Sequence, residues 1–253
     1  RLLMDFTGQH VVITGGSTGI GRATAEKIVA AGGKVSLIAR RADVLEAAAR
    51  AIGPDVAHFA ADVGNKADLL AAIDAAIARH GPVDGLFLNA AVNGAFALTP
   101  DYSDEAFEEV MRINAFSLFW AVRHVLPAMA ARGKGAVLIT GSLGGETGMV
   151  GNIGYCTSKH AAVGIARTIA MEGAPQGIRC NWIAPGFIDT EMLANVPEAF
   201  KQQMARRVPQ KRIGTSAEAG AVAAFLLSDD AGHVTAQGLA IDGGLLGTLM
   251  IET

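Results

Sequence analysis

Tyr155 and Lys159 stand four residues apart in a proline-free segment of helical pattern, residues 154–174. That spacing turns both side chains to one face of a helix. A phenol titrates near about 10 when unperturbed, and an ammonium within a few ångströms favours its ionised form and lowers that value. The pair therefore predicts a phenol able to give or take a proton near neutral pH. Ser142 follows the apolar run at residues 136–140 and adds a hydroxyl at that strand's tip.

A second group of residues suits an anion. Val11-Val12-Ile13 has the β-branched content and brevity of a buried strand, and Thr14, Gly15, Gly19 and Gly21 follow as T-G-x-x-x-G-x-G before an alanine-rich helical segment. Glycines allow a tight turn and close backbone approach. The first turn of the next helix aims free N–H groups and the positive end of its dipole at whatever sits there. A diphosphate meets that description, with a spacing one residue off the G-x-G-x-x-G dinucleotide pattern.

The elements that must position these groups alternate along the chain. Strands are read at residues 11–13, 34–39, 56–61, 83–89, 136–140, 178–184 and 239–241. Helices are read after Gly21 and at 43–52, 65–80, 104–132, 154–174 and 217–227, the long 104–132 helix capped by Ser103 or Asp104 and ended by Gly133. Repeated βαβ units predict an α/β, doubly wound Rossmann fold: about seven parallel strands with helices on both faces and right-handed crossovers, residues 1–253 forming one domain. In such sheets ligands bind beyond the carboxyl ends of the strands, where strand order reverses. Function is thus expected in the turns at 14–21, 40–41, 62–63, 89–91, 142–151 and 185–190. Residues 187–213, rich in methionine, proline and basic side chains, read as a mobile substrate lid.

Composition narrows the class. The chain of 253 residues is 51% apolar and 18% charged, ample for a large core and unlike a disordered segment. The net charge of −3, without long runs of either sign, predicts no nucleic-acid partner. No eighteen-residue apolar span or signal-peptide pattern is read, so a soluble, cytoplasmic protein off the membrane is expected. Two cysteines, Cys156 and Cys180, are too few for a disulfide framework or a thiolate zinc site. The six histidines show no ligand spacing, and no metal is expected.

Seven motifs then occur in order: TGGSTGIG at 14–21, Asn89-Ala90-Ala91, Asn114, Ser142, Tyr155-Cys-Thr-Ser-Lys159, Pro185-Gly186 and Ile241-Asp242-Gly243-Gly244. In order and spacing the chain resembles the single-domain short-chain dehydrogenase/reductases over nearly its whole length, with Ala91 in place of the commoner glycine. The resemblance implies an oxidoreductase interconverting a ketone and a secondary alcohol, hydride moving to or from a nicotinamide while Tyr155 handles the proton. It further implies that Lys159 lowers the Tyr155 pKa and holds the cofactor ribose, that Ser142 hydrogen-bonds the substrate oxygen, and that Asn114 helps fix a water in a relay reaching Lys159. The cofactor contacts implied are Gly15, Ser17, Thr18, Gly19, Ile20 and Gly21 at the phosphates, Asp62 and Val63 at the adenine, and Asn89 at the adenosine ribose. Pro185 and Gly186 lead to Ile188 and Thr190 at the nicotinamide carboxamide.

Charge selects the nicotinamide. NAD-specific dinucleotide folds place a carboxylate at the end of the second strand, where it would repel a 2′-phosphate. Here that tip is Ala39-Arg40-Arg41, and arginine grips phosphate bidentately, so NADP(H) is preferred over NAD(H). Leu143, Met149, Val150, Phe187, Met192, Leu193, Val196 and Met204 give a mostly apolar pocket suited to an apolar small-molecule carbonyl or alcohol. Glu146 and Asn152 share the Ser142 loop, Glu146 reading as surface. A 3-oxoacyl-carrier-protein reductase-like enzyme is the alternative, weakened by Gln176 where many such reductases carry arginine. Extended-branch epimerase or dehydratase chemistry is a further enzyme alternative, though that branch usually has a different glycine pattern and a longer substrate domain. From another class, a non-catalytic dinucleotide-binding regulator has no use for an intact Ser142, Tyr155 and Lys159. By resemblance a homotetramer is expected through the helices at 104–132 and 154–174 and the apolar tail at 245–251.

Overall fold

A computed structural model of the chain describes residues 4–194 and 196–247. Its strands are β1 (His10–Thr14), β2 (Lys34–Ala39), β3 (Val56–Ala60), β4 (Gly85–Leu88), β5 (Gly135–Thr140), β6 (Ile178–Pro185), β7 (Ile188–Asp189), β8 (Gly214–Thr215) and β9 (Gly238–Ile241). The helices are α1 (Gly19–Ala30), α2 (Ala42–Ile52), α3 (Lys66–His80), α4 (Asp104–Met111), α5 (Ser117–Arg132), α6 (Ile153–Gly173), α7 (Glu198–Arg207) and α8 (Ser216–Leu227).

Seven strands form one sheet in the order β3-β2-β1-β4-β5-β6-β9, every pairing parallel. This is the doubly wound Rossmann arrangement, with its order reversing between β1 and β4. Strands buried on both faces must be apolar at nearly every position, and β1 is buried throughout as His-Val-Val-Ile-Thr. Alternation splits its side chains between two cores. Val12 joins Leu86, Val137 and Ile139 under α3, α5 and α6, whereas Val11 and Ile13 join Leu37, Phe87 and Leu138 under α1, α2 and α8.

Local chemistry sets the helix ends. Asn65 caps α3, its Oδ1 accepting from Ala67 N at 3.0 Å, and Ser103 caps α4 by accepting from Ala106 N at 3.2 Å. Gly133 ends α5 in the left-handed region at φ 66°. The single helix expected over 104–132 is interrupted: residues Arg112–Phe116 form a π-turn between α4 and α5. There the Ser117 N–H reaches back five residues to the Arg112 carbonyl, and the Ser117 hydroxyl donates to the Ile113 carbonyl at 2.6 Å. The strand expected at 83–89 is shorter, which frees Asn89 for side-chain bonding beyond the sheet edge.

Between β6 and α8 the chain pairs β7 with β8 in a small parallel sheet, Ile188 opposite Gly214, and carries α7 outside it. Its far end is fixed by a capping box in which Thr215 and Glu218 bond reciprocally while Arg212 grips the Glu218 carboxylate at 2.6 and 2.9 Å. No helix among the described residues is long and apolar enough to cross a membrane.

Candidate active site

The carboxyl ends of β1, β4 and β5 are tied together by hydroxyls and one amide. The Thr14 Oγ1 accepts from the backbone N–H groups of Asn89 and Ala90 at 3.0 and 3.2 Å. Asn89 in turn donates from Nδ2 to the Gly15 carbonyl at 3.0 Å and accepts at Oδ1 from the Thr140 hydroxyl at 3.0 Å. Gly15 has φ +64°, and a Cβ there would lie 2.9 Å from the Ala90 Cα, so both the turn and the strand beside it require glycine. Thr18 stands at the N-cap of α1 without a side-chain cap, and the first turn of the helix holds no acid. Ser17 and Ile20 are buried beside it.

Ser142, Tyr155 and Lys159 meet past the end of β5. Ser142, 9% exposed, opens a 3-10 turn and accepts from Gly144 N at 3.1 Å. The Lys159 ammonium lies 5.6 Å from the Tyr155 ring centroid and donates to the Thr140 carbonyl at 2.8 Å. With Lys159 only 2% exposed, burial brings its pKa down to about 7. The Tyr155 phenol is pushed above its ordinary value, chiefly by burial, with the Ser142 hydroxyl pulling the other way. The net direction is thus opposite to the lowered phenol expected from the sequence, because desolvation is the largest influence on the buried Tyr155 hydroxyl.

Asn114 sits in the π-turn, 1% exposed. Its Oδ1 accepts from Val92 N at 2.9 Å, and its Nδ2 donates to the Val92 carbonyl at 2.9 Å and the Ser158 hydroxyl at 3.1 Å. The Ser158 hydroxyl donates in turn to the Tyr155 carbonyl at 2.7 Å, so Asn114 links the loop after β4 to the turn of α6 that carries Tyr155. A π-turn at such a junction is common at functional sites.

At the other end of the groove, Arg40 is exposed after β2, and Arg41 is engaged by Glu191, its Nη1 and Nη2 donating to the two carboxylate oxygens at 2.5 Å each. Glu191 Oε2 also accepts from the Thr18 hydroxyl at 3.2 Å. A cavity of 460 Å³ opens beside Arg40 and Asp62 and is completed by Lys66, Glu109 and Arg112. Asp62 Oδ1 accepts from Gly64 N at 2.9 Å, and Val63 is buried.

A family model described as enoyl-(acyl carrier protein) reductase matches residues 15–246. Levodione reductase of Leifsonia aquatica is 39% identical over 252 residues, covering 94% of each chain. The chain is a short-chain dehydrogenase/reductase. Similar proteins include 2,5-dichloro-2,5-cyclohexadiene-1,4-diol dehydrogenase of Sphingobium indicum, 34% identical over 96% of this chain and 98% of its own, and cyclohexanol dehydrogenase of an Acinetobacter species, 34% identical over 94% and 95%. The crystal structure of levodione reductase superposes with a TM-score of 0.93 at 38% identity, over 96% of this chain and 99% of that one. Members of this family are oxidoreductases acting on CH–OH groups with a nicotinamide dinucleotide.

The groove of this short-chain dehydrogenase/reductase fits such a cofactor: the uncapped start of α1 and the glycine at position 15 leave backbone N–H groups open to a diphosphate. Pro185 closes β6, the Gly186 N–H donates to the Ile241 carbonyl at 3.0 Å, Ile188 is buried in β7, and Thr190 packs against Gly19. Of the expected pocket residues, Met149, Val150 and Met192 are exposed and Met204 is buried. Glu146 accepts from Trp182 Nε1 at 3.2 Å, as a surface loop residue would. Phe96 and Leu98 were not foreseen. They are exposed on either side of Ala97, whose N–H donates to the Gly151 carbonyl at 2.9 Å and so ties the loop after β4 to the loop that follows Ser142. The run Ala-Phe-Ala-Leu of exposed-length apolar residues in a loop was the available signal. Glu191 was missed as well, since nothing local ties it to Arg41.

Proposed function

We propose that this enzyme interconverts a cyclic ketone and its secondary alcohol with NADP(H), Tyr155 exchanging the proton at the substrate oxygen. The convergence of Ser142, Tyr155 and Lys159 at the carboxyl end of β5, two strands along the same sheet edge from the glycine turn after β1, carries this reading. The bound nicotinamide would supply or accept the hydride. Ser142 would hold the substrate oxygen against the Tyr155 hydroxyl, and the Lys159 ammonium would stabilise the phenolate when the proton leaves. Asn114 would position the α6 turn and the water relay behind Lys159. Arg40 and Arg41 would take the 2′-phosphate, since the tip of β2 offers Ala39 in place of a carboxylate. Apolar Phe96, Leu98, Met149 and Met192 around the opening favour a hydrophobic ring, consistent with relatives named for levodione and cyclohexanol.

The segment at 187–213 would act as the substrate lid, hinged at the β7–β8 pair. Exposed Phe116, Phe119 and Met171 on the π-turn, α5 and α6 favour contact between copies, as in a homotetramer; a cytoplasmic location is proposed with it. The part of the apolar tail beyond residue 247 lies outside the described residues. A screen of cyclic and linear ketones and alcohols, following reduced-nicotinamide absorbance with each cofactor, tests the reading. Turnover of cyclic ketones with NADPH at least about tenfold more efficient than with NADH is expected; equal or better use of NADH contradicts the cofactor assignment, and activity confined to linear substrates contradicts the ring.

A further inference from the structure

The contact between Arg41 and Glu191 has no part in that reaction, yet it closes on the place the NADP(H) reading reserves for a phosphate. Glu191 follows Thr190 directly and opens the 3-10 turn Glu191–Leu193 in the segment between β6 and α8. Its two oxygens fill one edge of the Arg41 guanidinium, and one of them also receives the Thr18 hydroxyl. A single carboxylate thus joins the glycine turn, the end of β2 and the lid. A carboxylate held in an arginine fork, with a hydroxyl donating to it, presents the chemistry of a bound phosphate.

We propose that Glu191 is a resident anion in the phosphate site, a specificity-determining residue that must give up Arg41 before the 2′-phosphate of NADP(H) can be gripped. The proposal rests on the NADP(H) reading above. A phosphate arriving at Arg41 has to take the edge that Glu191 occupies. Displacing the carboxylate weakens a ligand that carries the 2′-phosphate and leaves one that lacks it nearly untouched. The pair suits exchange, for its side chains are 50% and 49% exposed and solvent screens the attraction.

Binding of 2′,5′-ADP and of 5′-AMP, measured by calorimetry without nicotinamide or turnover, isolates the effect. Wild type is expected to bind 2′,5′-ADP more tightly than 5′-AMP, and Glu191→Gln to raise that ratio by roughly fivefold with 5′-AMP affinity nearly unchanged. In an Arg41→Gln background the same substitution is expected to add nothing, because its effect acts through the guanidinium. A ratio unmoved or lowered by Glu191→Gln, while wild type still prefers 2′,5′-ADP, overturns this proposal and leaves the NADP(H) reading standing. A wild type without preference for 2′,5′-ADP overturns both.

Discussion

Lys159 and Tyr155 pay for their position with opposed protonation tendencies. Burial lowers the ammonium to about 7 and raises the phenol, so each is biased toward its neutral form. Between pH 7 and the ordinary lysine value of 10.5 the unfolded chain binds the proton that the folded protein releases, and stability therefore rises with pH across that window. Tyr155 acts in the opposite sense, and only above the ordinary phenol value of 10.0, where the unfolded phenol ionises first. Lys159→Met removes the first contribution. Urea denaturation at pH 6.5 and 9.5 should show the wild type gaining about 3 kcal/mol relative to Lys159→Met at the higher pH. An equal gap at both values would mean that the buried ammonium keeps its ordinary pKa. The spacing of Tyr155 and Lys159 was legible because four residues make one helical turn. The direction of the phenol's shift was not, since it depends on how much solvent α6 and the Ser142 loop exclude.

At the scale of elements, the π-turn at Arg112–Phe116 departs most from the helical pattern. An inserted residue leaves no mark in composition: Arg-Ile-Asn-Ala-Phe is acceptable helix, and its apolar spacing runs on into α5. The side chain at its centre is held by long-range bonds, those of Asn114 to Val92 and Ser158, which local sequence does not announce. Asn114→Ala leaves the Val92 N–H and carbonyl and the Ser158 hydroxyl without that partner, and a loss of about 2 kcal/mol is expected in chemical denaturation, together with a fall in kcat. A change below about 0.5 kcal/mol would show that the π-turn stands without the side chain. The start of α1, the Ser103 cap of α4 and the glycine stop of α5 were readable, because capping is local chemistry. Arg41 and Glu191, 150 residues apart and both exposed, left no such signal.

For the whole molecule, alternating βα units specified the sheet, because strands buried on both faces must be continuous apolar runs and each crossover must return on the same hand. The resulting order β3-β2-β1-β4-β5-β6-β9 brings the glycine turn after β1 and the Ser142 loop after β5 to one edge, on either side of β4. Under the proposed function that edge would join cofactor and proton donor, and Tyr155 is the residue on which the proposal depends. Tyr155→Phe keeps the ring and removes the hydroxyl. With a ketone accepted by the wild type, kcat for the variant should fall by about 10²- to 10⁴-fold while NADPH, titrated by its fluorescence, binds within about twofold of wild type. Turnover by Tyr155→Phe at the wild-type rate would contradict the assignment of the proton transfer to this hydroxyl.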